Sequence, residues 1–275
     1  MSMICFQQIK RYLHISDINS EKLHWFDKVE PLISHVQNIS KQMYVPGSNI
    51  SIDEMIVRFS GYSKHTFRMK NKPISEGYKI ISLCEKGYTY IFVLESHVEN
   101  NNEIPSIFGL SKGFLVLYLV MQLSNSQAYN IYMDNYFAKL KVEKSIRLNW
   151  DNLAGVVVNN VLVIFWMDNS PVHMLSTIHG IKGNEWKVLS SRRWPQETSS
   201  NANNVRKVFG DEIRKEILIP KAIYDYNHFI NGVDIADQYR SYYNCQLTAS
   251  HTWMSLLFWL IDTAIVKSYI IFWKN

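Results

Sequence analysis

The stretch Asn130-Ile131-Tyr132-Met133-Asp134-Asn135-Tyr136-Phe137 predicts a buried strand that ends in a carboxylate. A short apolar run stops at an acid and an amide, and two aromatic residues follow. This pattern is typical of a strand that brings an acidic side chain to the edge of a sheet, where a turn or helix begins. We therefore expect the fold to be organised around Asp134.

Two further acids have comparable surroundings. Asp53 closes the alternating segment Ile50-Ser51-Ile52-Asp53, and Asp234 follows the pair Gly232-Val233. Asp237 lies one helical turn after Asp234, so both can face the same way. Two divalent ions held by shared carboxylates can activate a nucleophile and stabilise a leaving oxygen in phosphoryl transfer, and Mg²⁺ needs few protein carboxylates. The sequence thus predicts that these places converge on one metal site.

Each of these acids also has a simpler interpretation. An acid after a strand usually forms a turn or caps a helix. Asp134-Asn135 and Asp53-Glu54 both fit that description. Spacing alone therefore leaves both interpretations open.

The composition favours a globular protein from a reducing compartment. Of the 275 residues, 47% are hydrophobic and 19% are charged, which is enough to build a core. The net charge of +5 permits a polyanionic partner without requiring one. The three cysteines are isolated from one another, which argues against a disulfide framework and against a Cys/His zinc module. The first residues lack the layout of a secretion signal, so secretion is not expected.

Residues 58–79 combine basic side chains, including Lys79, with interleaved aromatic residues. Such a stretch is more often a solvated surface than a nucleic-acid groove, and the aromatic residues favour the groove only modestly. Arg192-Arg193 could hold a phosphate or could simply end a β segment. The candidate DNA contacts are Arg58, Lys64, Arg68, Lys70, Lys72, Arg192 and Arg193.

Periodicity predicts an α/β fold with a mixed sheet. Residues 1–45 are expected to form amphipathic helices, 80–84 and 88–94 a hairpin, 112–123 a buried helix and 136–146 a charged helix. A small β-rich insertion is expected over residues 150–192 and a flexible loop over 195–206. The apolar helix 252–273 contains Asp262 and Lys267, so a core helix is favoured over a membrane span of about 20 apolar residues.

The sequence around the acids resembles the catalytic region of piggyBac-type transposases and of the domesticated proteins derived from them. The resemblance spans nearly the whole chain, and its most specific pieces are Asp-Asn-Tyr-Phe and Gly-Val-Asp-x-x-Asp-Gln. The matching pieces, in order, are residues 44–47 with 50–55, 71–73 with 77–80, 132–137, 192–193, 227–238, 252–253 and 262–264.

The resemblance implies an RNase H-like mixed sheet flanked by helices, with Asp53, Asp134 and Asp234 as its catalytic, metal-binding acids. Asp237 is a further acid near the metals. The implied organisation has a helical region over residues 1–45, the first part of the RNase H-like core over 46–149 and a β-rich insertion over 150–192. A linker and the C-terminal helices of the core follow over 193–275.

The resemblance also implies cut-and-paste DNA transposition supported by two Mg²⁺ or Mn²⁺ ions. Water frees a 3′ hydroxyl at the element end, that hydroxyl attacks the opposite strand to give a hairpin, and the opened end joins target DNA at TTAA. The expected partners are DNA, as transposon ends and TTAA target, and a second copy of the protein. The expected location is the nucleus, and no membrane partner is expected.

Three departures from the family lead us to expect a truncated copy. A strand with Gly-Thr and a basic residue normally follows the helix after the second acid, but here the chain runs from Leu140 to Trp150 without it. The cysteine-rich C-terminal DNA-binding module is absent, and the sequence begins inside the family's upstream helical region. A catalytically inactive, domesticated DNA-binding protein is therefore the alternative. A weaker third interpretation is an interaction module formed by the β insertion on an inert scaffold.

Overall fold

The structure is a computed structural model, and it describes residues 1–17, 19, 25–70, 72–96, 112–125, 127–137, 149–168, 170–180, 186–193, 202–247 and 251–274. Two compact units are present. The first consists of Met1–Ala138 with Ile230–Asn275, and the second consists of Lys139–Phe229.

The first unit is built on a mixed sheet with strand β1 (Asn49–Arg58) at its centre. Strand β3 (Glu76–Glu85) pairs with β1 antiparallel on one side. Strand β5 (Asn130–Met133) pairs with it parallel on the other side. Strands β2 (Phe67–Arg68) and β4 (Tyr88–Glu95) both pair antiparallel with β3. The predicted mixed sheet is confirmed, and it contains the predicted strand before Asp134.

The hairpin between β3 and β4 closes through the two residues Lys86 and Gly87. Both have positive φ angles, 47° and 90°, which suit the two-residue turns that match the twist of neighbouring strands. The predicted hairpin is thus confirmed.

Helices cover both faces of this sheet. One core cluster joins the sheet to α2 (Glu30–Met43), α6 (Gly232–Tyr242) and α7 (Thr252–Lys274). The opposite cluster joins the sheet to α3 (Lys112–Met121). Helix α2 has a proline in its first turn, where a missing backbone N–H does no harm.

The alternation of side chains along β1 divides it between the two faces. Met55 and Val57 belong to the cluster beneath α6 and α7, and Ile50 and Ile52 belong to the cluster beneath α3. Asp53 and Met55 are two residues apart on β1, so their side chains point to the same face of the sheet. This is the face that α6 covers.

Two predicted helices are less buried than their sequences suggest. Helix α1 (Met3–Tyr12) forms as predicted but has no buried residue. Helix α3 was predicted to be buried, and this is wrong for one side, where Phe114, Leu117 and Met121 are exposed. The reason is that α3 packs on the sheet through Leu115 and Leu119, with Val116, Tyr118 and Val120 partly buried against the same cluster, and its remaining side faces solvent.

Helix α7 is the only helix in the described part of the chain that is long and apolar enough to cross a membrane. Its N-terminal half supplies core residues from Trp253 to Leu260, and Asp262 and Lys267 are buried within the protein. This burial agrees with the predicted core helix. Its last two turns expose Tyr269, Phe272 and Trp273.

The second unit contains a three-stranded antiparallel sheet of β6 (Leu153–Val158), β7 (Val161–Met167) and β8 (Pro171–Ser176). The turn between β6 and β7 consists of Asn159 and Asn160, both with positive φ. Asparagine tolerates this conformation better than most residues, which explains why a two-residue turn forms here.

A separate two-stranded ribbon in this unit pairs β9 (Lys187–Arg193) with β10 (Arg214–Pro220). Helices α4 (Ala202–Phe209) and α5 (Lys221–Phe229) complete the second unit. Buried Ile219 and Ile223 link β10 and α5 to Trp166 of the three-stranded sheet.

Two sequence predictions in this region are wrong. The loop predicted over 195–206 overlaps α4, which begins at Ala202, because a polar composition hides a short helix anchored by buried Phe209 at its end. The residues after 206 were predicted only as a linker and C-terminal helices, whereas the structure has β10 before α5, which begins at Lys221. The helix predicted over 136–146 lies outside the described residues.

Lys267 is a buried cation without an acidic partner among the residues that the structure describes. Its Nζ donates to Ser40 Oγ at 2.6 Å and lies 5.7 Å from the centroid of the Tyr88 ring. Burial lowers its pKa to about 7, although the nearby Cys84 opposes this shift.

We predict that Lys267→Met raises the free energy of unfolding at pH 7 by about 2 kcal/mol, because it removes a desolvated charge. In the wild-type protein the unfolded chain binds more protons than the folded one above pH 7, so stability rises from about pH 7 to about pH 8.5. Above that range the raised pKa of Cys84, about 12, acts in the opposite direction.

Urea unfolding at several pH values measures both effects. The variant should lack most of the rise between pH 7 and pH 8.5, and Lys28→Met, at an exposed position, should keep it. A rise of equal size in the Lys267→Met variant would contradict the prediction.

Candidate active site

The parallel pairing of β1 with β5 brings Asp53 and Asp134 side by side. The register aligns Ile52 with Met133, so the next residues along the two chains are Asp53 and Asp134. Neighbouring strands lie about 4.8 Å apart, and in-register residues of parallel strands point to the same face. Both carboxylates therefore occupy the α6 face at the carboxyl end of β5.

Each of these two carboxylates also accepts a hydrogen bond from a nearby backbone N–H group. Asp53 Oδ1 accepts a hydrogen bond from Glu54 N at 2.7 Å. Asp134 Oδ1 accepts one from Tyr136 N, also at 2.7 Å, which closes an Asx turn directly after β5. Asp134 is thus a turn former, as the simpler interpretation of the sequence predicted. The turn uses only one carboxylate oxygen, however, and leaves the other for a ligand.

The proximity of the two acids has an electrostatic effect on Asp53. Burial raises the pKa of Asp53 to about 6, and the negative charge of Asp134 adds to this rise, while the hydrogen bond from Glu54 N opposes it. Two neighbouring carboxylates in a partly buried site repel each other, and a bound cation would relieve that repulsion.

A glycine lets α6 approach β1 closely. A Cβ atom at Gly232 would lie 2.4 Å from Ser51 Oγ and 3.3 Å from Cys84 O, so no larger residue fits there. Ser51 precedes Asp53 by two residues and faces the same side of the strand. The close contact therefore directs the first turn of α6, with Asp234, toward the face that carries Asp53.

Asp234 and Asp237 line a cavity of about 580 Å³ in the first unit. Glu54 and Arg240 line the same cavity. Asp53 and Asp134 are not among the residues that line it. The structure thus brings the acids together in two pairs, and it does not bring all four onto one cavity.

Asp237 is engaged by a neighbouring arginine. Its carboxylate pairs with the Arg240 guanidinium one turn later on α6. That guanidinium lies 5.3 Å from the Trp259 ring centroid, and burial lowers the pKa of Arg240 to about 10. Arg240 was missed in the sequence, although its i, i+3 spacing from Asp237 on a helix is a signal that could have found it.

The donor set fits a divalent cation at Asp53 and Asp134 only in part. Two adjacent carboxylates suit Mg²⁺, which takes few protein ligands and keeps waters for the remainder. However, no group of three or more His, Cys, Asp or Glu side chains in the described part of the chain is arranged to hold a metal ion. The pair can supply two ligands, and Asp234 would have to come closer to supply a third.

Lys79, expected on a basic surface, is instead buried, with a side chain that is 2% exposed. Its Nζ lies 3.0 Å from Glu54 Oε2 and 3.2 Å from Glu95 Oε2. The signal for this was a lysine placed between Tyr78 and Ile80 in an apolar strand, a position that requires internal partners.

The other predicted DNA contacts of the first unit are exposed. Lys72 lies 3.4 Å from Glu54 Oε1, and Arg68 lies 3.5 Å from Glu76 Oε1. Such exposed pairs contribute little and leave the cations available to an anionic ligand. The exposed set consists of Arg58, Lys64, Arg68, Lys70 and Lys72.

The two arginines of the second unit differ from each other. Arg192 pairs with Asp168, and its guanidinium lies 5.6 Å from the Trp166 ring centroid, so it is already committed within its unit. Arg193 is exposed and lies opposite Arg214 in the β9–β10 ribbon. Of the two, Arg193 is the better candidate for a phosphate contact.

We predict that Asp53→Asn stabilises the protein at pH 7 by about 1–2 kcal/mol, because it removes a partly buried charge and, with it, the repulsion from Asp134. The pKa of Asp53 is about 6 in the folded protein against an ordinary value of 3.8. The folded state therefore holds an extra proton between these values, and wild-type stability falls as pH rises from about 4 to about 6.

The Asp53→Asn variant should lose this fall, and Asp211→Asn, at an exposed position of the second unit, should retain it. Urea midpoints measured at pH 4, 5, 6 and 7 provide the comparison. A variant less stable than the wild type at pH 7 would contradict a repulsive pair.

Comparison with known proteins yields a family and a fold. A sequence model of the family described as Transposase IS4 matches residues 1–147 and 141–269. The two matches overlap over residues 141–147.

The fold is similar to that in a cryo-EM structure of piggyBac transposase in a synaptic complex with hairpin DNA. The TM-score is 0.76 at 19% sequence identity, and the match covers 100% of this chain and 58% of the other. The chain thus spans less than two thirds of that protein's length. It belongs to the transposase family described as Transposase IS4, and its fold is that of a piggyBac-type transposase domain.

Proposed function

We propose that this chain is a piggyBac-like transposase catalytic domain that performs metal-dependent DNA strand cleavage and transfer. The observation that carries the proposal is the in-register placement of Asp53 and Asp134 on neighbouring parallel strands, with burial and mutual repulsion raising the pKa of Asp53. Such a pair is unfavourable without a cation and suited to one. The family adds the reaction, which is cut-and-paste transposition at TTAA.

In this proposal Asp53 and Asp134 hold the metal ions, and Asp234 completes the site from the first turn of α6. Asp237 joins them after it separates from Arg240. When bound, two Mg²⁺ or Mn²⁺ ions supply activation of the attacking hydroxyl and stabilisation of the leaving oxygen. The Asx turn fixes the carboxylate of Asp134, and the Ser51–Gly232 contact fixes the start of α6, so both elements keep their positions while the DNA strand is exchanged.

The strand order also supports the finer fold proposal. The path β4–β3–β1–β5 consists of three antiparallel strands followed by one parallel strand, with helices on both faces. We propose that this is the RNase H-like core, divided between residues 46–149 and 193–275, with residues 150–192 as its β-rich insertion and 1–45 as a helical region.

The proposed partner is DNA, in the form of transposon ends and a TTAA target. The exposed cations of residues 58–72 in the first unit, and Arg193 in the second, supply sequence-independent phosphate contacts. The structural neighbour was solved with hairpin DNA, which supports this choice. We further propose a homodimer and a nuclear location, following the family.

A second candidate function is a catalytically inactive, domesticated DNA-binding protein. It is favoured by the division of the acids into two pairs and by the ion pair that holds Asp237 to Arg240. In such a protein the cations would act without the acids. The same DNA surface therefore serves both candidates, and only strand cleavage separates them.

We predict that Asp134→Asn lowers Mn²⁺-dependent nicking of supercoiled plasmid by roughly a hundredfold or more, since a metal ligand supplies several kcal/mol of transition-state stabilisation. Asp211→Asn serves as the matched control and should nick at the wild-type rate. Equal nicking by Asp134→Asn and wild type would refute the role of Asp134. Absence of nicking in every protein, with DNA binding retained, would favour the inactive candidate.

We predict that Lys64→Gln combined with Lys70→Gln weakens DNA binding at low salt and reduces its salt dependence. Each phosphate contact that is lost should lower the slope of log K against log salt concentration by about 0.9. Fluorescence anisotropy of a labelled duplex at several salt concentrations measures that slope. Lys28→Gln removes an exposed charge elsewhere and should leave the slope unchanged, and an equal change in both proteins would contradict a defined surface.

A further inference from the structure

The buried amine of Lys79 is the centre of a polar cluster within the first unit. Its Nζ lies within hydrogen-bonding or ion-pair distance of three groups, at 2.5 Å from Tyr136 Oη, 3.0 Å from Glu54 Oε2 and 3.2 Å from Glu95 Oε2. The Tyr136 hydroxyl in turn donates to Glu95 Oε1 at 3.2 Å. The cluster thus joins strands β1, β3 and β4 to the turn that follows β5.

The groups around Lys79 stabilise its protonated form. Burial opposes the charge on Lys79, but the hydrogen bonds to Tyr136 and Glu54 and the charges of Glu95 and Glu54 outweigh it and raise its pKa. The pKa of Glu54 is lowered, because its contacts with Lys79 and Lys72 outweigh the effect of burial. Contacts between an ammonium group and carboxylates are charge-assisted and stronger than contacts between neutral groups, so they hold the geometry of the cluster.

Tyr136 connects the cluster to Asp134. Tyr136 is held at its hydroxyl by Lys79 and Glu95, and its ring lies over the Lys79 amine with 3.8 Å between Nζ and the ring centroid. At its other end, the backbone N–H of Tyr136 donates to Asp134 Oδ1. The cluster thus fixes the side chain of Tyr136, and the backbone of Tyr136 in turn fixes the carboxylate of Asp134.

The position of Asp134 needs such a support. Strand β5 is paired over four residues, from Asn130 to Met133, and among the described residues its only sheet neighbour is β1. Asp134 follows the last of those pairs, so the ladder itself does not hold it beside Asp53. The repulsion between the two carboxylates pushes in the opposite direction.

We propose that Lys79 is a positioning residue, which acts through Tyr136 to hold Asp134 against the repulsion of Asp53 in a geometry that accepts a divalent cation. The inference rests on the proposed metal-dependent function. The role is separate from that of the acids, because neither Lys79 nor Tyr136 would touch the ion. Loss of the support should weaken metal binding by about tenfold, as is typical when a residue that orients a ligand is removed.

The test uses the full chain and Mn²⁺ alone, with free Mn²⁺ counted by its EPR signal. Tyr136→Phe removes the hydroxyl and keeps the ring, and Tyr12→Phe makes the same change at an exposed position. Lys79→Met removes the amine at nearly constant volume, and Asp134→Asn provides the reference for a lost ligand. The thermal midpoint without metal is measured for each protein, so that a loss of stability is separated from a loss of affinity.

The expected result is Mn²⁺ binding about tenfold weaker in Tyr136→Phe, with Tyr12→Phe equal to the wild type. Lys79→Met should weaken binding at least as much, and if that variant fails to fold, Tyr136→Phe decides alone. A lower thermal midpoint with unchanged Mn²⁺ affinity in Tyr136→Phe would overturn the positioning role. Equal Mn²⁺ binding by wild type and Asp134→Asn would instead overturn the metal site on which the role depends.

Discussion

Two carboxylates placed at the same level on neighbouring parallel strands repel each other, and the centre of the first unit is arranged around that repulsion. The β1–β5 pairing creates it by aligning Asp53 with Asp134. Burial raises the pKa of Asp53, and the charge of Asp134 adds to that rise. The opposite face of the sheet carries the Lys79 cluster, in which one buried cation lies beside two partly buried acids. The two faces thus differ, because the acids of the Lys79 cluster have an adjacent cation, whereas Asp53 and Asp134 lie beside each other.

The sequence predicts those parts of this arrangement that depend on residues close together in the chain. An apolar run that ends in an acid predicts the β5 strand and the position of Asp134 directly after it. Two β runs around Lys86-Gly87 predict the hairpin, because the turn requires positive φ. Gly232 before Asp234 has a comparable local cause, since only a glycine allows α6 to contact Ser51.

The parts that the sequence does not predict depend on contacts between distant segments. Lys79 reads as one more cation in a basic stretch, and only the fold brings Glu54, Glu95 and Tyr136 around its amine. The Asp237–Arg240 pair is an exception, because it is local and its i, i+3 spacing could have been recognised in the sequence. Composition misleads in the second unit, where the polar residues before Val208 form a helix that one buried aromatic residue anchors.

The short pairing of β5 has a consequence for how such a protein can change over evolutionary time. The hydrophobic clusters of the first unit rest mainly on β1, β3, β4 and the helices above them, whereas β5 is joined to the sheet by four paired residues. Local opening is least costly where few contacts are lost. Under the proposed function, catalysis and folding are therefore separable. Mutations that release β5 would remove the proposed reaction first and leave a stable, cationic scaffold on which selection can retain a new role.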